Sequence, residues 1–238
     1  MKTVLITGGS RGIGAAAVRL FASNGYRVAF TYKSSREEAE RLSRETGALA
    51  LQADSASEKD ILRAVNEVQE KLGNVEILIN NAAVSSFSLI TDLSLTDWRN
   101  MFSVNIDAAF LYTKSVLPSM INSKKGRIIN ISSMWGLVGS SCEVCYSSTK
   151  AALIGFTKAL AKEVGPSGIT VNAIAPGLID TDMNASLSFE DKAAICEETP
   201  LMRMGEPEEI AKAAFFLASD DAAFITGEVM NVSGGLVI

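Results

Sequence analysis

The segment YSSTK, residues 146–150, pairs a tyrosine with a lysine four positions later, a spacing suited to proton transfer. On a helix, residues four apart share one face, so the Tyr146 phenol and the Lys150 ammonium are expected to meet. A free tyrosine has a pKa of about 10 and is a poor acid–base group at neutrality. An ammonium at ~4 Å attracts a phenolate by about 4 kcal/mol at an effective dielectric constant of about 20, before desolvation is counted. The pair therefore predicts a catalytic tyrosine whose pKa is lowered by the lysine.

The lack of histidine and the small number of cysteines exclude several other catalytic and metal-binding sites. It contains no histidine, which excludes a Ser-His-Asp triad, a Cys-His pair and a His-ligated metal. Its cysteines are Cys142, Cys145 and Cys196, too few for a four-ligand zinc site, and the C-x-x-C lies in a different context from a thioredoxin motif. We therefore predict unpaired structural cysteines and no metal. One alternative stays open, in which a Cys142–Cys145 disulfide forms on oxidation and disturbs Tyr146.

A glycine-rich turn provides a second candidate site. TGGSRGIG, residues 7–14, follows a short apolar run and precedes a helical pattern. Glycines allow a tight turn and a close approach of the backbone to a pyrophosphate. The start of the helix adds free N–H groups and the positive end of its dipole. The strand–turn–helix order therefore predicts a dinucleotide site.

The residues that end the second predicted strand indicate which dinucleotide binds. The chain continues FTYKSSR, with Lys33 and Arg36 and no carboxylate for the ribose hydroxyls of NAD. Arg11 lies in the glycine turn itself. Because cations form charge-assisted hydrogen bonds with a 2′-phosphate, we predict NADP(H) as the cofactor.

The elements that position these residues follow from hydrophobic periodicity. β-Branched runs alternate with amphipathic patterns, which predicts parallel strands, helices on both faces and right-handed crossovers. An irregular stretch at 180–206 is predicted to form a substrate lid within a single α/β domain over 1–238. The predicted strands are 3–7, 27–31, 48–53, 77–80, 127–131, 170–174 and 229–232. The predicted helices are 12–23, 36–45, 58–71, 96–122, 146–164 and 207–219.

Composition and charge argue against nucleic acid and membranes as binding partners. A net charge of −5 and a pI near 5.0 leave no general basic face for nucleic acid. No run approaches the roughly 18 apolar residues that span a membrane. The opening MKTVLITGG lacks the apolar core of a secretory signal. We therefore expect a cytoplasmic protein with no nucleic-acid or membrane partner.

Taken together, these motifs resemble the short-chain dehydrogenase/reductase family. The spacing G-x-x-x-G-x-G, the NNAA at residues 80–83 and the closing GEVMNVSGG extend the resemblance over nearly the whole chain. It implies a doubly wound Rossmann-type sheet of seven parallel strands. It also implies an enzyme that transfers hydride to a carbonyl without a metal. Four residues match the family's catalytic tetrad in order and spacing: Asn105, Ser133, Tyr146 and Lys150.

The resemblance implies a role for each of the four. Ser133, which the spacing favours over Ser132, stabilises charge on the carbonyl oxygen, and Tyr146 gives the proton. Lys150 tunes Tyr146 and orients the nicotinamide ribose, and Asn105 holds a water that relays protons. The residues predicted to bind the cofactor, from motif and resemblance together, are Gly8, Ser10, Arg11, Gly12, Ile13, Gly14, Lys33, Asp54, Ser55, Asn81, Lys150, Pro176, Gly177, Ile179 and Thr181.

Three substrate classes stay open. VNAIAPGLIDTDM and ETPLMRMGEPEEIA resemble reductases of 3-oxoacyl groups on acyl carrier protein, whose two basic docking positions correspond here to Lys124 and Ser167. SSMWGLVGSSCEVCYSSTK resembles reductases of the 5-aminopentanone group on elongation factor P, whose ammonium would pair with Glu143. A stand-alone reductase of small ketones, sugars or sterols is the third class, and an NADP-binding sensor is the non-enzymatic alternative. We place 3-oxoacyl reduction first and predict Glu143 and Met183 as substrate residues.

The family resemblance further implies a homotetramer. Its long helices correspond to those predicted at 96–122 and 146–164, where Phe110 and Phe156 could serve either the core or an interface. A ketone carried on acyl carrier protein or on another protein is the expected partner.

Overall fold

The protein folds around one seven-stranded sheet. The computed structural model describes residues 1–185 and 187–238, and its strands lie in the order β3-β2-β1-β4-β5-β6-β7. Every neighbouring pair is parallel. This confirms the predicted doubly wound Rossmann-type fold, and the predicted strand ends differ from the observed ones by at most two residues. The strands are β1 Thr3–Ile6, β2 Arg27–Tyr32, β3 Leu49–Gln52, β4 Ile77–Asn80, β5 Gly126–Ile131, β6 Ile169–Pro176 and β7 Val229–Val232.

Helices cover both faces of the sheet. Those in the described part of the chain are α1 Gly12–Ser23, α2 Arg36–Thr46, α3 Glu58–Leu72, α4 Leu95–Phe102, α5 Ala108–Ser123, α6 Trp135–Val138, α7 Val144–Val164, α8 Phe189–Glu198 and α9 Pro207–Ala218. Residues of α1, α2 and α9 share one core cluster, and residues of α3, α5 and α7 share the other. None of the helices within 1–185 and 187–238 combines the length and the apolarity needed to cross a membrane.

The core is divided in two by the sheet. Successive side chains of a strand point to opposite faces, so a strand covered on both sides is apolar throughout. In β1, Val4 and Ile6 pack toward α1 and α9, while Leu5 packs toward α3 and α5. All three side chains are fully buried. The sheet is therefore a rigid platform whose strand ends can hold a site.

The candidate site lies where the strand order reverses. The sheet extends through β2 and β3 on one side of β1, and through β5 to β7 on the other side of β4. A crevice forms outside the carboxyl ends of neighbouring strands at such a switch point. The glycine turn follows β1 and Asn81 follows β4, so both motifs meet at this crevice.

The single helix predicted over 96–122 is wrong. The structure divides it into α4, a π-helical segment Ser103–Asp107 and α5. A π-helical turn closes its hydrogen bonds one residue later than an α-helical turn, so it inserts a residue without ending the helix. The apolar pattern continues through the insertion, and the insertion carries Asn105. The helix predicted over 146–164 begins slightly earlier, at Val144.

The predicted lid at 180–206 contains a short 3-10 turn, Asp182–Asn184, followed by α8. Position 186 lies outside the described residues. Helix α8 begins with a capping box in which Ser188 and Asp191 bond each other's backbone N–H groups. Phe189 is 82% exposed and Met183 is 46% exposed, so these apolar side chains do not pack into the core. Substrate binding by this segment stays a prediction.

Candidate active site

The glycine turn is held tightly against the end of β4. Gly8 has a φ of +64°, and a Cβ there would lie 2.9 Å from the Ala82 Cα. A Cβ at Gly14 would collide with the Gly8 carbonyl oxygen and lie 2.7 Å from the Asn81 Nδ2. That Nδ2 donates to the carbonyl oxygens of Thr7 and Gly8 at 2.9 and 3.0 Å. Only glycine fits the turn at these two positions, and the backbone is left open toward the crevice.

The crevice is a groove of about 530 Å³ that runs from the glycine turn to the lid. Its lining ends at Val84 and Val104, beside Asn105. Of the predicted cofactor and substrate residues, the following line it: Gly8, Ser10, Arg11, Gly12, Ile13, Gly14, Lys33, Asp54, Ser55, Asn81, Thr181 and Met183.

Four predicted cofactor residues lie outside the lining of this groove: Lys150, Pro176, Gly177 and Ile179. Pro176 ends β6, and a Cβ at Gly177 would lie 2.7 Å from the Ser233 Cα. The Ile179 side chain is buried in the core cluster that contains α9 residues. Ile179 could therefore contact a cofactor only through its backbone.

All three cations predicted to meet the 2′-phosphate already have carboxylate partners, and one of them, Arg36, pairs with Glu40 at 2.7 Å outside the lining of the groove. The Lys33 Nζ lies 2.7 Å from the Asp54 Oδ2, and this pairing lowers the pKa of the Asp54 carboxyl. The Arg11 Nη1 lies 3.4 Å from the Asp182 Oδ2. The side chains of Lys33 and Arg11 are more than half exposed, so each pair is weak and exchangeable. A phosphate at this end of the groove would compete with the two carboxylates for these cations.

Three members of the predicted tetrad meet beyond the groove. Ser133 follows β5, and its hydroxyl lies beside the Tyr146 phenol, where it favours the phenolate. The Lys150 Nζ lies 5.5 Å from the centre of the Tyr146 ring and donates to the Ile131 carbonyl at 2.9 Å. The neighbouring Ser132 hydroxyl instead donates to the Lys150 carbonyl at 2.9 Å. The two serines therefore differ in their contacts, and Ser133 is the one that lies beside the phenol.

The expected direction of the Tyr146 pKa is wrong in this structure. Burial raises the pKa of Tyr146 to about 12, against the smaller opposing effect of Ser133, and the charge of Glu143 raises it further. Burial also lowers the pKa of Lys150 to about 8. The four-residue spacing predicted the attraction between the Tyr146 phenolate and the Lys150 ammonium. In the structure, the loss of solvent around both groups has the larger effect on their pKa values.

Asn105 braces the site from the π-helical segment. Its Oδ1 accepts from the Val84 N–H at 2.8 Å, and its Nδ2 donates to the Val84 carbonyl at 2.9 Å. The same Nδ2 donates to the Thr149 Oγ1 at 3.0 Å, and Thr149 donates to the Tyr146 carbonyl at 2.8 Å. The Asn105 side chain thus joins the segment after β4 to α7. Its predicted role in holding a relay water is not tested by these contacts.

One side of Tyr146 packs against apolar side chains, and a half-buried carboxylate, Glu143, lies near it. Cys145 packs with Tyr146 and Met101, and all three cysteines are free. Burial raises the pKa of Glu143, while Ser140 and Trp135 oppose that shift by hydrogen bonding. No lysine or arginine of residues 1–185 and 187–238 forms an ion pair with Glu143.

Comparison with known proteins agrees with this geometry. The profile of the family described as Enoyl-(Acyl carrier protein) reductase matches residues 8–237. The chain is 43% identical to 3-oxoacyl-(acyl-carrier-protein) reductase FabG of Aquifex aeolicus over 240 residues, 99% of this chain and 97% of that protein. It is 40% identical to a 3-oxoacyl-(acyl-carrier-protein) reductase of Synechocystis over 243 residues, 100% and 97% of the two chains. The chain belongs to the short-chain dehydrogenase/reductase family.

Solved structures of this family superpose closely. A double mutant of a Serratia marcescens short-chain dehydrogenase/reductase has a TM-score of 0.93 and 36% identity, covering 99% of this chain and 97% of that one. A blue fluorescent protein from a metagenomic library, solved in complex with NADPH, has a TM-score of 0.94 and 36% identity, covering 100% and 98%. This short-chain dehydrogenase/reductase is accordingly an oxidoreductase, as predicted.

The groove of this short-chain dehydrogenase/reductase also includes residues that no sequence motif predicts. Thr31, Asn100 and Asp182 line it together with Ala82 and Val84. Thr31 ends the predicted second strand and precedes Lys33 by two positions, so the alternation of β2 was the signal that could have found it. Asn100 and Asp182 come from α4 and the lid, and their approach to the groove depends on the tertiary fold.

Proposed function

We propose that the protein is an NADPH-dependent reductase of 3-oxoacyl groups carried on acyl carrier protein. The observation that carries the proposal is the meeting of Ser133, Tyr146 and Lys150 at the end of a glycine-lined groove. The two relatives that are 40% and 43% identical to this chain are both named 3-oxoacyl-(acyl-carrier-protein) reductases, and the chain covers 97% of each of them. The matched family profile is named for reduction of the enoyl group instead. The hydroxyls of Ser133 and Tyr146 can both donate to one substrate oxygen, and this suits reduction of a carbonyl better than reduction of a carbon–carbon double bond.

The residues of the groove fit a dinucleotide phosphate. The turn at Gly8 and Gly14 is a cradle that a Cβ would fill, and α1 begins without an acidic residue in its first turn. Arg11 and Lys33 supply the charge for a 2′-phosphate, and Ser55 lies beside Lys33's partner, Asp54. When bound, NADPH supplies the hydride for the reduction.

The raised pKa of Tyr146 keeps the phenol in the protonated form that reduction of a carbonyl requires. With a pKa of about 12, Tyr146 is protonated at neutral pH and is ready to donate to a carbonyl oxygen that gains negative charge. Ser133 donates a second hydrogen bond to the same oxygen. Ser133 favours the phenolate left on Tyr146, and the Lys150 Nζ lies 5.5 Å from the centre of its ring. Because the pKa of Lys150 is about 8, this group can release and regain a proton near neutrality.

The proposal is tested with acetoacetyl-(acyl carrier protein) and NADPH under single-turnover conditions. The expected result is oxidation of NADPH together with formation of the 3-hydroxyacyl product, detected by mass spectrometry. Ser133→Ala should slow the chemical step about 10²–10³-fold. Ser132→Ala is the matched control, because Ser132 bonds the α7 backbone and not the phenol. Equal losses in the two variants would contradict the assigned role of Ser133.

Carrier docking is a separate part of the proposal. Lys124 follows the last residue of α5 and has a φ of +53°. A Cβ at Gly168 would contact the Lys124 carbonyl oxygen, so Lys124 and Ser167 are neighbours in space. We expect Lys124→Glu to lower kcat/KM for the carrier-borne thioester while leaving the coenzyme A thioester little affected. Equal effects on both would exclude docking through Lys124.

A second candidate function is favoured by Glu143. Its half-buried carboxylate lies near the catalytic phenol, and no lysine or arginine of the described residues forms an ion pair with it. A substrate ammonium there would neutralise a charge that is otherwise costly to bury. Reduction of the 5-aminopentanone group on elongation factor P supplies such an ammonium.

Glu143→Gln separates the two candidates. If the carboxylate pairs with an ammonium, the substitution lowers kcat/KM for an amino-ketone about tenfold more than for a neutral ketone of equal length. Glu70→Gln, an exposed change on α3, is the control. A loss that is the same for both ketones would contradict the pairing.

The homotetramer is also proposed rather than established. Phe110 is 47% exposed and Ile121 is 39% exposed, and with Phe156 they line an apolar groove between α5 and α7. Light scattering of wild type and Phe110→Asp tests the proposal, since a charged residue in a buried interface should dissociate it. The cytoplasmic location stays a prediction from the sequence.

A further inference from the structure

Tyr112 is a fully buried tyrosine whose hydroxyl is poorly explained by packing. It lies on α5 in the core cluster with Leu5, Ala29 and Leu51, and none of its surface is exposed. Within residues 1–185 and 187–238, no group completes a hydrogen bond of normal geometry with the phenol oxygen. An unpaired buried hydroxyl is unfavourable, and phenylalanine would fill nearly the same volume without it. The hydroxyl therefore calls for another explanation.

The polar groups beside this phenol belong to the cofactor groove. Burial raises the pKa of Tyr112, and the side chains of Thr31 and Ser55 both act against that shift. The two hydroxyls are thus neighbours of the phenol, although neither reaches the geometry of a complete hydrogen bond. Thr31 and Ser55 are both buried, and both line the groove.

Thr31 in turn holds the glycine turn. Its Oγ1 accepts from the Gly8 N–H at 3.3 Å, and its carbonyl accepts from the Gly9 N–H at 2.9 Å. Because its oxygen accepts from Gly8, the hydroxyl hydrogen of Thr31 is free to donate toward the Tyr112 phenol. The phenol hydrogen can then be donated to Ser55. One tyrosine therefore connects the turn after β1 with the segment after β3.

We propose that Tyr112 is a positioning residue of the cofactor groove. Its hydroxyl links Thr31 to Ser55 and so holds the glycine turn in register with the opposite wall, around the adenosine end of the cofactor. The inference rests on the proposed assignment of the groove to NADP(H). Tyr112 itself is covered by the core and contacts neither cofactor nor substrate.

The test is Tyr112→Phe, which removes only the hydroxyl. Loss of a linking hydrogen bond should raise the Kd of NADPH, measured by calorimetry, about two- to tenfold. The adenosine-end fragment 2′,5′-ADP should lose affinity by the same factor. The Tm should change little, because the substitution keeps the buried ring and leaves no cavity in the core cluster. Tyr26→Phe is the matched control, since that ring packs on Phe21 and Phe215 in the other core cluster.

A double-mutant cycle with Ser55→Ala separates the link from independent effects. If the phenol acts through Ser55, the effects of the two substitutions on the Kd are less than additive, whatever Ser55 contributes by contacting the cofactor itself. If the wild type binds NADPH and Tyr112→Phe binds it with the same Kd, the positioning role of Tyr112 is overturned, while the proposed function of the groove stands. A lower Tm at unchanged Kd would also overturn it, by showing a packing role. A wild type with no affinity for NADPH would overturn the proposed function as well.

Discussion

Replacing the buried Lys150 by methionine should abolish activity and yet stabilise the protein at neutral pH. The ammonium is 2% exposed, and burial lowers its pKa from 10.5 to about 8. At 1.36 kcal/mol per pKa unit, that difference destabilises the folded state by about 3 kcal/mol at pH 7. Loss of the hydrogen bond to the Ile131 carbonyl offsets about 1–2 kcal/mol. We therefore expect Lys150→Met to raise the free energy of unfolding by about 1–2 kcal/mol at pH 7.

The sign of this difference should depend on pH. The unfolded chain holds the Lys150 proton more tightly than the folded protein, so wild-type stability rises as the pH increases from about 8 toward 10.5. Methionine has no proton to lose, so the advantage of the variant should shrink by about 2 kcal/mol by pH 10.

Urea unfolding at fixed protein concentration, at pH 7 and pH 10, measures both quantities. Lys158→Met is the control, because Lys158 is exposed on the same helix, and it should change stability by less than about 0.5 kcal/mol. A Lys150→Met variant that is less stable than wild type at pH 7 would refute the reasoning. A stability difference that does not change with pH would refute it as well.

Three further outcomes follow from the site. Tyr146→Phe should lower kcat about 10²–10⁴-fold while the Kd of NADPH, measured by fluorescence, stays within about twofold; a large rise in Kd would indicate a binding role instead. Lys33→Ala should raise the Kd of NADPH about fivefold and leave that of NADH unchanged, because only the former carries a 2′-phosphate; parallel changes would exclude that contact. Gly14→Ala should abolish NADPH binding and lower the Tm, since its Cβ would collide with the Gly8 carbonyl oxygen; normal binding would show that the turn can move.

The fold could be predicted because its signals are local. A strand covered on both faces is apolar throughout, as in Val4–Leu5–Ile6, and the alternation with amphipathic helices indicates a parallel sheet. The glycine turn and the four-residue spacing of Tyr146 and Lys150 are likewise visible in short segments. The structure places the glycine turn in the crevice, and it places Tyr146 and Lys150 beyond the end of that crevice.

The remaining features depend on neighbours that are distant along the chain. The Lys33–Asp54 ion pair depends on the register of β2 against β3, where Tyr32 lies opposite Gln52. The pKa of Tyr146 depends on how much solvent the surrounding elements exclude. The spacing of residues along a helix carries no information about that exclusion. The π-helical insertion that carries Asn105 has an apolar pattern like that of the α-helix around it, and it was therefore missed.

The central claim is tested most directly by the initial rate of NADPH oxidation with two substrates side by side. One is acetoacetyl-(acyl carrier protein), and the other is elongation factor P carrying the 5-aminopentanone group, with NADH as the cofactor control. We predict the higher kcat/KM for the carrier-borne thioester, and little activity with NADH. A clear preference for the modified elongation factor would contradict the assignment of the 3-oxoacyl substrate and would make Glu143 the residue that selects it.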